Sequence, residues 1–297
     1  MEDGLNVGQY VLVRRIWRGG MAEVWEARHI HLGHRVAVKF LLPEFARNQE
    51  LQERFLNESK RQAQLEHPNI VPTLDFFEVD GRSFLVVQYV EGQDLETRLE
   101  KGNAPLSLDE IHGISGDVLS ALDYMHTLGL LHLDVKPANM LLAQNDRTLL
   151  MNLGIAKALH EQRKVALGTA DYMSPEQIVC PGKVDGRSDI YSFGCVLYAM
   201  LTGRPPFGSD SDTAFHVQEC HVHKAPPPLV YANPAVPKAI EAVALRCLEK
   251  KPEHRYQTCE AVMAALHGVL SHNAAPVGPT PIEPKPYLRW LTIRRPR

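Results

Sequence analysis

The sequence predicts an α+β protein, built as one large domain or as two lobes, in which residues 10–90 (the first lobe) are mainly β and residues 91–271 (the second lobe) are mainly α and form the larger part. The first lobe is predicted from short runs rich in Val, Ile and Trp that are separated by Gly-containing turns. The second is predicted from longer segments whose apolar residues recur at helical spacing. A hydrophobic content of 44% with 23% charged residues suits a globular chain with a sizeable core.

Five strands and one long helix are predicted in the first lobe. The helix covers residues 49–65, and Pro68 excludes its continuation because the residue before a proline resists helical geometry. The dipeptide Asp80–Gly81 predicts a tight hairpin between the last two strands. The five strands span residues 10–16, 23–28, 35–41, 74–79 and 83–90.

Four longer helices are predicted in the second lobe, which we expect to be mainly helical from residue 94 onward. Ser107 is a suitable N-cap for the first of them, and the second is apolar enough to be buried. Beyond residue 271 the composition shifts to Ala, Pro and Gly, which predicts a flexible tail over residues 272–297 with a basic end. The four helices span residues 108–128, 186–201, 237–248 and 258–270.

Composition and charge disfavour several classes of protein. A formal net charge of −3 gives no reason to expect a nucleic-acid partner. No apolar stretch reaches the roughly 18 residues that a transmembrane helix needs. The N-terminus lacks the basic and apolar regions of a signal peptide, and the five cysteines form no C-x-x-C pair. We therefore predict a cytoplasmic protein with free thiols.

Residues 132–139 carry most of the chemical information in the chain. They form the pattern H-x-D-x-K-P-x-N, which places a carboxylate (Asp134), a cation (Lys136) and an amide (Asn139) on one short loop. Phosphoryl transfer needs a carboxylate to accept the proton of the attacking hydroxyl, a cation to face the phosphoryl group and a ligand to bind a metal ion.

Further motifs occur in order around this loop. They are V-A-V-K ending at Lys39, Glu58 on the next helix, Q-Y-V-E-G at 88–92, N-L-G at 152–154, S-P-E at 174–176, R-S-D-I-Y-S-F-G at 187–194, and Arg255. Each motif alone is weakly specific, but the whole series in this order is highly specific. It resembles the protein kinase superfamily, and within it the bacterial Hanks-type Ser/Thr kinases, over about residues 10–271.

The resemblance implies a two-lobed protein kinase fold with ATP bound in the cleft. Lys39 would contact the α- and β-phosphates and pair with Glu58. Val90 and Glu91 would lie in the hinge, whose backbone groups bind the adenine edge. Three apolar positions match those that sandwich adenine, although each is equally suited to an ordinary core: Val24, Ala37 and Leu141.

The resemblance also implies catalytic roles. Asp134 would accept or orient the hydroxyl of a protein Ser or Thr, Lys136 would stabilise the transferred γ-phosphoryl group, and Asn139 would bind Mg²⁺.

Four other residues match structural positions of the family. Glu176 and Arg255 would form a buried ion pair, and Asp189 would anchor the backbone of the catalytic loop. Asp94 would either reach the ribose or cap the next helix.

Several positions depart from the family pattern. Asn152 replaces the metal-binding aspartate, so one amide oxygen remains as a ligand and the negative charge is missing, which weakens Mg²⁺ binding. In the glycine loop Trp17 and Ala22 replace two glycines, and Gly19 alone remains to let the backbone approach phosphate. Leu133 replaces the arginine that holds a phosphorylated activation loop in many kinases, so a phosphate-driven switch is not expected.

Two functions are compatible with this pattern. The one we favour is a Ser/Thr kinase-like domain that binds adenine nucleotide, is catalytically impaired or a pseudokinase, and acts as a scaffold or allosteric partner of another protein, such as a second kinase. The alternative is an active enzyme that transfers the γ-phosphoryl group of ATP to protein Ser or Thr. The mixture of aromatic residues and arginines at 287–297 suits either weak contact with an anionic membrane or partner, or a disordered tail.

Overall fold

The computed structural model describes residues 3–101, 106–151, 170–208 and 213–273. The strands lie mostly in the first part of the chain and the helices mostly in the second, as predicted. The first lobe contains a six-stranded antiparallel sheet in the order β1-β2-β3-β4-β6-β5. Its strands are β1 (Asn6–Val7), β2 (Tyr10–Arg18), β3 (Ala22–His29), β4 (Arg35–Leu41), β5 (Thr73–Val79) and β6 (Arg82–Gln88).

Local chemistry accounts for the hairpin between β5 and β6. Asp80 and Gly81 both have positive φ angles, 51° and 69°, which a tight two-residue turn requires and which Asp and Gly tolerate. The sheet curls so far that β2 meets β5: the ring of Tyr10 stacks on Phe77 at 5.7 Å, and the Tyr10 hydroxyl donates to Asp75 at 3.3 Å. The curl closes one face of the sheet around a core that includes Tyr10 and Phe77.

One face of the sheet buries Leu12, Trp25, Val38 and Phe40 in a core of its own. The other face receives α1 (Gln49–Gln62), whose Phe55 packs among Ala22, Leu41 and Leu85.

The cross-strand register places the predicted nucleotide residues together. Val24 is paired with Lys39, and Glu26 with Ala37. Because alternate residues share a face, Val24, Ala37 and Lys39 lie on the same side of the sheet.

The second lobe is built around one buried helix. Its helices are α2 (Leu95–Lys101), α3 (Leu108–Thr127), α4 (Pro175–Val179), α5 (Gly186–Thr202), α6 (Ala214–His223), α7 (Leu229–Ala232), α8 (Lys238–Cys247) and α9 (Cys259–Asn273). Every residue of α5 from Ser188 to Leu201 is buried, as its apolar sequence predicted. Ser107 caps α3 in a reciprocal capping box with Glu110, also as predicted.

The second lobe is mainly helical, as predicted, and also contains a small sheet that was not predicted. This three-stranded sheet is formed by β7 (Gly92–Asp94), β8 (Met140–Ala143) and β9 (Thr148–Leu150). These strands have only three or four residues each, too few to give a periodic signal. Met140 and Leu150 are buried in the core of the lobe, so the small sheet joins the catalytic segment to the helices.

No helix in the described ranges is long and apolar enough to cross a membrane.

Candidate active site

A buried carboxylate on α5 sets the backbone of the predicted catalytic loop. Asp189 is fully buried and accepts hydrogen bonds from the backbone N–H of His132 at 3.0 Å and of Leu133 at 2.7 Å. Its Oδ2 also lies 2.8 Å from Nε2 of His126 on α3. Leu133 has φ +61°, a conformation that is unfavourable for a leucine and needs such support. The anchoring role predicted for Asp189 is confirmed.

Two side chains of the loop, those of Asn139 and Lys136, converge on one carboxylate oxygen of Asp134. The amide Nδ2 of Asn139 donates to Oδ2 of Asp134 at 2.8 Å and to its backbone oxygen at 2.7 Å. The ammonium of Lys136 lies 3.0 Å from the same Oδ2. The carboxylate of Asp134 therefore has a fixed orientation beside a cation, an arrangement that can orient a hydroxyl group next to a phosphoryl group.

Lys39 and Glu58 face each other without forming the expected contact. Burial lowers the pKa of Lys39 to about 8, against the opposing effect of the nearby Glu58 charge. Burial raises the pKa of Glu58 to about 7, and Lys39 opposes that shift. Yet Oε2 of Glu58 is buried without a hydrogen-bond partner, and no ion pair joins the two groups within the described ranges.

The predicted contact between Lys39 and Glu58 is therefore wrong, although α1 packs on the sheet as expected. The position of α1 is set by apolar burial of Phe55 among Ala22, Leu41 and Leu85. An ion pair between two desolvated groups adds little net free energy. It therefore cannot move a helix whose position is fixed by apolar burial.

Replacing Glu58 by glutamine is expected to raise the free energy of unfolding above pH 7 by about 1–2 kcal/mol and to change it little below pH 4.5. The folded wild type holds a proton on Glu58 up to a pKa of about 7, whereas the unfolded chain loses it near 4.5. The wild type therefore loses stability as pH rises through this interval, and the glutamine variant does not. Urea denaturation at several pH values measures the effect. Glu53→Gln, at an exposed position of the same helix, is the control. If the difference in free energy of unfolding between the variant and wild type does not vary with pH, the pKa of Glu58 is not raised by burial.

The predicted adenine-binding residues lie around the cleft side of the small lobe and the small sheet. Ala37 is buried, and Val24 and Leu141 are half-buried. Leu141 pairs with Asp94 across β7 and β8. These surfaces are apolar, as adenine pockets are.

Glu91 ties the hinge to both lobes. Its backbone oxygen accepts a hydrogen bond from the N–H of Gln144 at 3.2 Å, and its carboxylate pairs with Arg35. The guanidinium of Arg35 also lies over the ring of Tyr89, 4.0 Å from its centroid. Much of the bonding capacity of Glu91 is therefore used within the protein.

Trp17 folds onto the remaining glycine of the loop. A Cβ atom placed on Gly19 would lie 2.1 Å from the indole ring of Trp17, so the ring covers the Cα of Gly19. A side chain at position 19 would have to displace the outer edge of this ring. The indole is 52% exposed and forms part of the outer surface of the loop.

The contacts of Asp94 show the helix-capping role, one of the two roles considered for it. Its carboxylate accepts hydrogen bonds from the backbone N–H of Thr97 at 2.7 Å and from the Thr97 hydroxyl at 2.9 Å. Asp94 therefore caps the start of α2.

The predicted buried pair of Glu176 and Arg255 is confirmed. Arg255 donates two hydrogen bonds to the carboxylate, at 2.6 and 2.8 Å, and Ser188 donates a third at 2.6 Å. The remaining donors of Arg255 bind the backbone oxygens of Arg187, Glu249 and Lys250. The N-L-G motif at 152–154, which includes Asn152, and the tail beyond residue 273 lie outside the described residues.

Comparison with known proteins identifies the family. The family model for the protein kinase domain matches residues 10–266. The chain belongs to the protein kinase family. Its relatives are bacterial Hanks-type Ser/Thr kinases, as the sequence motifs indicated.

A probable serine/threonine-protein kinase of Streptomyces coelicolor is 38% identical over 291 residues, which cover 94% of this chain and 42% of that protein. The serine/threonine-protein kinase PknH of Mycobacterium tuberculosis is 39% identical over 272 residues, 90% of this chain and 43% of the relative. The crystal structure of the M. tuberculosis PknI kinase domain matches 91% of this chain and 99% of its own, with a TM-score of 0.74 and 30% identity. The chain spans less than half the length of the two full-length relatives, the Streptomyces coelicolor kinase and PknH.

One residue that positions the catalytic loop was missed from the sequence. Gln177 on α4 donates its amide to the backbone oxygen of Leu133 at 2.9 Å. The same side chain accepts from the N–H and hydroxyl of Ser174, which caps α4. The S-x-x-Q spacing is a capping-box signature and was available as a signal, but its link to Leu133 is a tertiary contact that spacing cannot reveal.

Proposed function

We propose that this kinase domain binds adenine nucleotide between its lobes, transfers the γ-phosphoryl group to protein Ser or Thr only slowly, and acts mainly as a scaffold or allosteric partner of another protein. The observation that carries the proposal is the chemistry at the metal position. Asn152 stands where the family has a metal-binding aspartate, while Asp134, Lys136 and Asn139 keep the groups of the catalytic loop.

Nucleotide binding is supported by groups that the fold leaves in the cleft. Lys39 is a buried cation on the face of the sheet that also carries Val24 and Ala37. Oε2 of Glu58 is buried without a hydrogen-bond partner near Lys39, a costly state that a bound polar group would relieve. We assign the adenine edge to the backbone of Val90, because the oxygen and carboxylate of Glu91 bind Gln144 and Arg35.

The metal fits these residues less well than the nucleotide. Magnesium prefers several hard oxygen ligands, among them carboxylates, and its chemistry when bound would be to neutralise the triphosphate. The two family positions that would hold it are both neutral amides here, Asn139 and Asn152. Asn139 also donates its amide to Asp134, so only its oxygen can serve as a ligand.

Nucleotide affinity is expected to change less than about threefold when Mg²⁺ is added, because no carboxylate at position 152 links the metal to the protein. Isothermal titration calorimetry with ADP and a non-hydrolysable ATP analogue, with and without Mg²⁺, measures this. Lys39→Ala is expected to weaken binding by roughly tenfold to a hundredfold, since a charge-assisted bond to phosphate is lost. Lys60→Ala, at an exposed position of α1, is the matched control.

Two outcomes contradict this part of the proposal. A large gain in nucleotide affinity on adding Mg²⁺ would indicate that this chain has the normal metal site of the family. Unchanged binding in Lys39→Ala, combined with a lower melting temperature, would make Lys39 a structural residue only.

An active Ser/Thr kinase remains the second candidate function, and the geometry of Asp134 favours it. The carboxylate is held by Asn139 and lies beside Lys136, as acceptance of a substrate hydroxyl requires. Transfer from γ-labelled ATP to a general protein substrate separates the two candidates: a turnover rate of about 1 per second or more would favour the active enzyme.

A further inference from the structure

A groove between α3 and α9 has no role in the kinase chemistry described above. Its cavity has a volume of about 350 Å³. Small or apolar residues line it: Ser115, Gly116 and Leu119 on α3, and Met263, Ala264 and Leu266 on α9. At one end the rings of His112 and His267 stack with their centroids 5.5 Å apart. We call this feature the α3–α9 groove.

The groove contains an unsatisfied polar group. Ser115 is 1% exposed, and its hydroxyl has no hydrogen-bond partner within the described ranges. A buried hydroxyl without a partner costs free energy, so a ligand with a hydrogen-bonding group beside an apolar one would fit the site better than an empty groove does. Tryptophan has both, as an indole ring and its N–H.

The two ends of the groove differ in charge. Glu260 lies at the end opposite the histidine pair, and its N–H is 3.4 Å from the carboxylate of Asp123. Neither carboxylate forms an ion pair with another described residue. This acidic end therefore suits an occupant that carries positive charge.

We propose that the chain's own C-terminal segment, residues 287–297, docks in the α3–α9 groove with Trp290 as its apolar anchor and its arginines at the acidic end. The segment contains Leu288, Trp290, Leu291 and Ile293, followed by Arg294, Arg295 and Arg297. This inference is independent of the proposed function.

Chain length and direction support the docking. α9 ends at Asn273, roughly 20 Å along the helix from Glu260. Residues 274–286 contain five prolines and span roughly 40 Å when extended, which is enough to turn back along the groove. A chain that returns in this direction places its last residues, the arginines, nearest Glu260. Since the segment is tethered, its effective concentration at the groove is high.

Two glycines on α3 offer a matched pair of variants. A Cβ atom at Gly116 or at Gly113 would meet no atom within 4 Å apart from its chain neighbours and the backbone of its own helix, so both positions accept a larger side chain. Gly116 lines the groove, whereas Gly113 is exposed and does not. Gly116→Leu fills the groove, and Gly113→Leu gives the same gain in helix propensity without filling it.

Photo-cross-linking of the full chain tests the proposal. With p-benzoyl-L-phenylalanine in place of Trp290, intramolecular cross-links located by mass spectrometry are expected on residues 112–119 and 260–267. Gly116→Leu is expected to lower their yield by roughly tenfold and Gly113→Leu to leave it unchanged. Trypsin cleavage after Arg289 is expected to become faster in Gly116→Leu only. Circular dichroism confirms that each variant folds.

Three results would overturn the proposal. Cross-links that fall elsewhere, or that join two copies of the chain, exclude the groove as the docking site. Cross-links that persist in the folded Gly116→Leu variant do the same. Co-sedimentation with vesicles of phosphatidylcholine and phosphatidylserine that is lost in Trp290→Ala, in a protein without groove cross-links, would assign the segment to a membrane surface instead.

Discussion

Asn152→Asp is expected to raise the rate of phosphoryl transfer by a factor of about a hundred to a thousand. The change restores a carboxylate at the metal position, and the metal's contribution to the transition state is worth several kcal/mol. Recovery of about 4 kcal/mol corresponds to roughly a thousandfold in rate. The catalytic loop needed for this gain is in place, because Asp134 is already oriented by Asn139 and Lys136. Transfer from γ-labelled ATP to protein, at saturating nucleotide and Mg²⁺, measures the effect.

Two further variants make the result specific. Asp134→Asn in the Asn152→Asp background is expected to abolish the gain, which shows that the new activity uses the same loop. If Asn152→Asp alone leaves transfer flat, the defect lies in the glycine loop, where the indole of Trp17 covers Gly19. The combination with Trp17→Gly tests that explanation. No gain in either background would contradict the view that a missing charge limits this kinase domain.

Arg255→Met is expected to lower the free energy of unfolding by about 3–5 kcal/mol. The substitution leaves Glu176 as an uncompensated carboxylate and removes donors from three backbone oxygens. Such a loss is a large fraction of the roughly 5–15 kcal/mol that keeps a domain folded. Urea denaturation followed by circular dichroism measures it.

Arg187→Met is the matched control for this variant. Arg187 pairs with Asp185 near the surface, and such a pair contributes about 1 kcal/mol or less. If the two variants lose equal free energy of unfolding, burial of the Glu176–Arg255 pair does not determine its contribution to stability.

The effect of Arg255→Met also depends on pH. Burial raises the pKa of Glu176, but the hydrogen bonds and charge of Arg255 outweigh it, so the pKa is lowered overall. A lowered carboxyl pKa adds stability above the unfolded value of 4.5, and this stability is lost as pH falls through the folded value. The difference in free energy of unfolding between wild type and Arg255→Met is therefore expected to become smaller at acidic pH.

Elements with strong local signals could be predicted from the sequence. The bounds of β4 agree with the prediction at both ends, and α3 begins at the residue after its predicted cap. The strand pair β5–β6 was predicted because Asp80–Gly81 specifies a turn with two positive φ angles. In these cases the information lies within a few neighbouring residues.

Elements defined by distant contacts could not be predicted. The strands of the small sheet are too short to show a period, and they exist because β8 pairs with β7 and β9. The roles of Asp189, Glu176 and Arg255 followed from resemblance to the family, and the structure supplies their geometry. The separation of Lys39 from Glu58 depends on where α1 settles against the sheet, which no local pattern encodes.

The bonds from Asp189 to His132 and Leu133 have a consequence for the dynamics of the kinase domain. These two amides are held by a carboxylate on the most deeply buried helix, so they cannot open while α5 remains packed. Their hydrogen exchange with solvent should therefore follow global unfolding of the larger lobe and not local fraying. The strained backbone at Leu133 thus belongs to the same cooperative unit as the core, and the loop keeps its shape up to the temperature at which that lobe melts.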